Sequence, residues 1–331
     1  MAGKMRRAVI VGATSSLGKE LAEVLSESVA SAWDVRLIDA NEAGQVTAAG
    51  DEALVVGSLE DASFVGVDVV FFVTDAGATR KVWKDAAAAN AALVDLTGVL
   101  EGEAGALFFA PAMEAGKPDL STVAMAPILP ATWLLASVAA RSQAKRVVAT
   151  VLGPTSQLGD AAMDELHQQT VALLSFQNQP REMFDAQVAF TLRDAFGPEA
   201  KFSLAKQRER VERELRTVLG DEPELTFQLL QAPVFHGMTA SLWLEYAEAV
   251  DAEVIANRLN GAGFEESTET GDAGLSNQDA VGQNEAIFHV RAGGTHGVWV
   301  WIALDNLRWM ARAAESAALE MLALRPGSTV Q

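Results

Sequence analysis

Val9-Ile10-Val11-Gly12-Ala13-Thr14-Ser15-Ser16-Leu17-Gly18 is the stretch from which the rest of the chain can be read. Three apolar β-branched residues make a short buried strand and Gly12 turns it. Leu17, Leu21, Val24 and Leu25 then recur at helical spacing. A strand that passes through a glycine turn straight into a helix opens a βαβ unit, with free amides and a positive dipole end at the turn. Working outward, Val35-Arg36-Leu37-Ile38 is a second strand, closed by Asp39. Asp68-Val69-Val70-Phe71-Phe72-Val73 is a third, apolar on both faces as in the middle of a parallel sheet. A helix over Lys81–Ala92 and strands Leu93–Leu96 and Leu107–Ala110 continue the alternation. The expected fold class is α/β, a Rossmann-like doubly wound parallel sheet.

After Pro127 and Pro130 the pattern changes. Helices are expected over Ala131–Ser142, Asp160–Leu174 and Leu204–Leu219, with strands at Arg146–Val151, Leu225–Ala232, Ser241–Ala247, Ala286–Ala292 and Val298–Leu304. Long strands grouped late in the chain imply an α+β domain built on a mixed or antiparallel sheet. Gly261–Gln283, rich in Gly, Ser, Asn, Asp and Glu, reads as an exposed loop, and Asn306–Leu324 as a final helix. Lys206–Arg216 is the one dense basic cluster; glutamates at helical neighbour spacing make it a solvated, ion-paired face.

Half of the 331 residues are hydrophobic, enough for two cores, and no apolar run is long enough to cross a bilayer. The basic start, Lys4 to Arg7, leads into a strand too short for a signal-peptide core, so a cytoplasmic protein is expected. A net charge of −19 repels phosphate backbones and anionic lipid, which argues against nucleic-acid or membrane partners. The absence of cysteine excludes disulfides, thiolate catalysis and thiolate metal sites. His167, His236, His289 and His296 show no ligand spacing, so no metal site is expected.

The candidate nucleotide site is Gly12, Thr14, Ser15, Ser16, Leu17 and Gly18, with Asp39 as acceptor for a ribose hydroxyl. Asp39 and Glu42 would oppose a 2′-phosphate, so the expected cofactor is NAD rather than NADP. The competing reading is a tight strand–helix turn around an empty pocket, followed by a solvated acidic turn.

Four segments in order carry a resemblance: the Gly12–Gly18 turn; Ser156-Gln157-Leu158-Gly159-Asp160-Ala161-Ala162-Met163-Asp164-Glu165-Leu166; Gln231-Ala232-Pro233-Val234-Phe235-His236-Gly237; and Asp305-Asn306-Leu307-Arg308. Over nearly its whole length the chain resembles the aspartate-semialdehyde dehydrogenase family. That family has a third glycine where this chain has Ser15, whose side chain narrows the approach to a phosphate while its hydroxyl offers a donor. The resemblance implies a dinucleotide-binding domain over 1–129 and 306–331, with the last helix packed back on it, and a dimerisation or substrate domain over 130–305. It also implies a homodimer paired through the second domain, with Trp243, Tyr246, Trp299 and Trp301 as candidate interface residues.

Family catalysis runs through the cysteine of an Asn-Pro-(Asn or Asp)-Cys turn and a histidine closing Pro-Val-x-x-Gly-His. The matching positions here are Leu129 and Met238, with His236 two residues earlier as the weak replacement base. Arg210 falls near a family lysine that binds an anion, and Arg308 is retained although the family's following Lys-Gly is Trp309-Met310 here; the resemblance makes both candidates for substrate binding. The reading that follows is a family member, a relative of amino-acid biosynthesis enzymes, that has lost its chemistry and binds NAD or an unknown protein partner. A second is an active NAD-dependent oxidoreductase acting on a small aldehyde or carbonyl without a covalent intermediate, using His236, Asp160 or Glu245. A third is a cofactor-free structural or regulatory dimer.

Overall fold

The computed structural model describes residues 5–49, 52–73, 76–111, 113, 117–220, 222–267 and 274–325. They fall into two compact units, one drawn from Met1–Ile128 and Met310–Gln331, the other from Leu129–Trp309.

The first unit runs β1 (Arg6–Val11), α1 (Ser16–Ser26), β2 (Trp33–Asp39), β3 (Val46–Ala49), β4 (Glu52–Val55), β5 (Gly57–Ser58), β6 (Val69–Phe72), α2 (Ala76–Ala88), β7 (Ala92–Asp95), β8 (Ala106–Phe109) and β9 (Ala124–Pro127). Seven strands in the order β5-β2-β1-β6-β7-β9-β8 form one sheet with parallel pairing throughout. Alternation along β1 sends Ala8 and Ile10 to one core, with Leu21, Leu25 and Phe71, and Val9 and Val11 to the other, with Phe72, Val82 and Leu93. A central strand buried on both faces reads as a continuous apolar run.

The second unit comprises α3 (Pro130–Ser142), β10 (Arg146–Gly153), α4 (Asp160–Leu174), α5 (Leu204–Leu219), β11 (Glu224–Gln231), β12 (Met238–Glu245), α6 (Ala252–Leu259), β13 (Phe264–Glu266), β14 (Ala286–Ala292) and β15 (Gly297–Leu304). Its six-stranded sheet, β11-β10-β12-β15-β14-β13, is mixed: β10–β11 and β13–β14 are parallel and the rest antiparallel. Val147, Ala149, Leu242, Leu244, Val298, Val300 and Ile302 are buried on one face. Val148, Trp243 and Trp299 line up in register on the other, where Trp299 keeps 49% of its surface exposed. Tyr246 does not join that face: its hydroxyl donates to Ser142 O at 3.2 Å, and burial pushes its pKa up.

α7 (Asn306–Leu324) is capped by Asp305, whose Oδ1 accepts from the amides of Leu307 and Arg308 at 3.0 Å. Its Ala311, Ala314, Ala317, Ala318 and Met321 pack into the core around Ile10 and Phe71.

Several elements depart from the expectation. α2 begins at Ala76 and stops at Ala88, because Asn90 enters the left-handed region at φ 62° and frees Ala92 to start β7. The Gly261–Gln283 stretch contains β13, paired parallel to β14; residues 268–273 of it lie outside the described set. The irregular chain after α4 is organised by two buried side chains. Gln169 Oε1 accepts from the amides of Val188 and Ala189, and its Nε2 donates to Pro180 O and Ala186 O. Glu165 accepts from the amides of Met183 and Phe184. Gln169→Ala strands two buried amides, so it should destabilise this unit by about 2–3 kcal/mol in urea unfolding; Gln169→Glu keeps the acceptor but sets an oxygen against Pro180 O, Ala186 O and Glu165 Oε1, and should cost at least as much.

Candidate functional site

The glycine turn of the first unit is bonded mainly to itself. Gly12 adopts φ 90° and its amide donates to Ile38 O at 2.9 Å. Ser15 is the N-cap of α1: its hydroxyl donates to Gly12 O at 2.7 Å and accepts from Gly18 N at 3.0 Å. The donor expected to face a phosphate is therefore turned inward. Thr14 is likewise engaged, its hydroxyl 2.7 Å and its amide 3.4 Å from Asp39 Oδ2. Asp39 Oδ1 accepts from Asn41 N at 3.1 Å, so this 8% exposed carboxylate ties the end of β2 to the turn. Ser16 and Leu17 supply the first helical residues, and Glu42 accepts from the Gln45 side chain.

Gly18 is required by space. A Cβ built on it would lie 2.8 Å from Ala13 Cα and still closer to Gly12 O, both backbone atoms that cannot yield. Gly18→Ala should therefore cost about 1–3 kcal/mol in thermal or urea unfolding through overpacking alone; unchanged stability would mean the turn is looser than this geometry.

In the second unit the head of α3 forms a separate cluster. Leu129 is its N-cap residue, extended at φ −65° and ψ 149°, and its side chain makes no capping bond. A leucine has no acceptor to offer, and the cap comes instead from α5. Glu214, with no exposed surface, accepts from Leu129 N at 2.9 Å and Thr132 Oγ1 at 2.5 Å. Arg210 Nε donates to its other oxygen at 2.8 Å. A carboxylate at a helix N-terminus is stabilised by both the amides and the dipole. The α5 segment is thus not wholly a solvated ion-paired face, because Glu214 lies on its buried stripe with Val211 and Leu215.

Among the other named positions, Met238 is 1% exposed and opens β12 opposite Leu304. Gly237, at φ 81°, interrupts the extended run between it and His236, so strand alternation does not carry His236 onto its face. His236 O accepts from Asn277 Nδ2 at 2.8 Å. Arg308 Nε donates to Asn284 Oδ1 at 2.7 Å. Glu245 is 3.6 Å from Arg146, and Asp160 begins α4. Ser156 and Asn306 bond to one another while buried. Among the described residues no group of three or more His, Asp or Glu could hold a metal ion, and no helix is long and apolar enough to cross a membrane.

Glu214 and Thr132 were not singled out from the sequence. The signal was present, since Glu214 stands three residues after the apolar Val211 and four after a basic partner.

Residues 7–119 match the model for "Semialdehyde dehydrogenase, NAD binding domain", and residues 135–309 that for "Semialdehyde dehydrogenase, dimerisation domain". An Azotobacter vinelandii USG-1 protein homolog is 31% identical, with 96% of this chain and 97% of that one covered. An aspartate-semialdehyde dehydrogenase of Rickettsia bellii is 26% identical over 90% of this chain and 92% of its own. The solved structure of a probable aspartate-semialdehyde dehydrogenase from Pseudomonas aeruginosa superposes with a TM-score of 0.80 at 27% identity, covering 97% and 99% of the two chains.

Proposed function

The chain belongs to the semialdehyde dehydrogenase family, and on that premise we propose that it is a member without the family's covalent chemistry, serving as an NAD-binding or partner-binding homodimer. Leu129 is the observation that carries this reading. Where the resemblance puts the nucleophile stands a saturated side chain, its amide already bonded to Glu214, in a chain with no cysteine. Arg210 Nε and Arg308 Nε donate to Glu214 and Asn284, so each guanidinium is in part engaged within the chain. The deciding measurement is phosphate-dependent oxidation of aspartate semialdehyde, taken up in the Discussion.

The cofactor in this reading is NAD. A 2′-phosphate would approach Asp39 and Glu42, and like charges at that distance repel. Calorimetric titration should give NAD at least about tenfold tighter binding than NADP, the equivalent of one such repulsion; equal affinities would sink the preference. The inward-turned donors of Thr14 and Ser15 favour a second reading, a dimer that binds neither nucleotide. No heat with either nucleotide decides for it.

The homodimer is proposed to form through the open face of the mixed sheet. Trp243 and Trp299 pack there with ring centroids 5.2 Å apart, and half of Trp299 faces outward. Sedimentation should find a dimer that Trp299→Glu weakens; a wild-type monomer at every concentration would refute this interface.

A further inference from the structure

β11 ends one side of the mixed sheet, with β10 on its inner flank. On the outer flank Gln231 exchanges both backbone bonds with Arg193. Its amide donates to Arg193 O at 2.8 Å and its carbonyl accepts from Arg193 N at 3.1 Å. The next amide, of Ala232, turns the other way and donates to Gly153 O on β10 at 2.9 Å. Strand alternation therefore points the N–H and C=O of Leu225 and Phe227 outward as well. Among the described residues neither finds a backbone partner on that side.

Beside this bare edge lies a cavity of about 440 Å³, with Leu215 and Leu219 of α5 on one side and Pro223, Leu225 and Phe227 on the other. A helix lying along an unpaired strand, with an apolar channel between them, is a setting in which an extended chain adds to a sheet. Main-chain bonds hold the added chain and alternate side chains enter the channel. The opposite edge of the sheet is protected, since β13 has three residues and two of them are Glu265 and Glu266. β11 has no such device. From Leu225 to Gln231 it carries no charge, proline or glycine.

Charge at one end of the groove selects the occupant. Gly220, at φ 70°, closes α5 and lines the cavity, which places the negative end of the helix dipole there. Arg216 of the last turn is paired with Glu212 at 3.8 Å, and Glu224 with Arg146 at 3.0 Å. Exposed Glu222 has no ion pair among the described residues. A cation is what this end lacks. Antiparallel pairing with a second copy's β11 would instead bring that copy's acidic 222–224 segment toward Asp194, which follows Arg193 at the other end.

We propose that the groove between α5 and β11 binds an extended peptide segment of another protein, apolar at alternate residues and followed by a basic one. The segment runs antiparallel to β11, as Arg193 does, and exchanges backbone bonds with Leu225 and Phe227. Its basic residue lies at the end of α5. The groove draws on neither the nucleotide turn nor Trp299.

The test uses the full chain and an acetylated, amidated hexapeptide in which valine alternates with threonine and lysine comes last, followed by calorimetry and amide-resolved hydrogen exchange. The Leu225 and Phe227 amides should exchange fast in the unbound chain and at least about tenfold more slowly with peptide bound. Glutamate in place of the lysine should weaken binding about fivefold, the worth of one charge at a helix end. Leu225→Pro removes an outward N–H and no bond to β10, so the chain should stay folded and bind about tenfold more weakly. Should that variant not fold, the exchange of the wild-type amides decides alone. No binding by the folded wild type overturns the proposal, as does binding that leaves both amides unprotected. Amides already protected without peptide, in step with protein concentration, would make a second copy the occupant and overturn it equally.

Discussion

Purified protein given aspartate semialdehyde, phosphate and either nicotinamide nucleotide should show no reduction of the nucleotide above background, and Leu129→Cys should not restore it. The expectation follows from how many groups are altered at once. Cysteine at 129 would sit at the N-cap of α3, where the dipole favours a thiolate. Glu214 lies against the same helix end and is paired with Arg210 at 2.8 Å. The dipole is then the main remaining pull, worth less than about 1 kcal/mol, or under one pH unit. The introduced thiol should be alkylated by iodoacetamide with a pH profile near that of an ordinary cysteine. Turnover would still fail, since Met238, where the resemblance puts the base, is buried and cannot take up a proton at neutral pH. Phosphate-dependent turnover by the wild type, co-purifying with the protein through successive columns, would end the reading of lost chemistry. Turnover by Leu129→Cys alone would show instead that the sulfur was the one missing group.

Much of the fold could be read because its signals are local. Val9 to Gly18 and Asp68 to Val73 declare a parallel sheet by continuous apolarity, and the later strands declare themselves by length and number. What escaped depends on partners distant in sequence. The pairing of β13 to β14 and the short β9 have too few residues to show a period. Glu165 and Gln169 lie on the expected helix, and nothing local signals that the chain from 180 to 189 folds over them. Tyr246 looked like a strand-face aromatic, but its hydroxyl is bonded to the end of α3, a hundred residues earlier in the chain. The glycine turn was recognisable as a turn, yet the inward direction of its hydroxyls depends on Asp39, which only the sheet brings to Thr14.

Glu214→Ala should be the most damaging single substitution in the second unit, costing about 3–5 kcal/mol, as expected when one member of a buried ion pair is removed. Three losses combine. Leu129 N and Thr132 Oγ1 lose their acceptor at a helix end where the N-cap side chain is aliphatic and cannot replace it. Arg210, whose side chain is 21% exposed, loses its counter-ion. A cavity also opens beside Val211 and Leu215, which are buried on the same stripe of α5. Glu214→Gln separates these terms: it keeps the volume and one acceptor oxygen and removes the charge, so it should cost clearly less than the alanine. Arg210→Leu removes the other side of the pair and leaves the carboxylate with two donors, and its cost should fall between them. Urea unfolding followed by near-ultraviolet circular dichroism reads the second unit through Trp133, which stacks on Phe264 at 4.9 Å and packs against Trp309. If Glu214→Ala unfolds no more easily than the wild type, Glu214 is not the cap of α3.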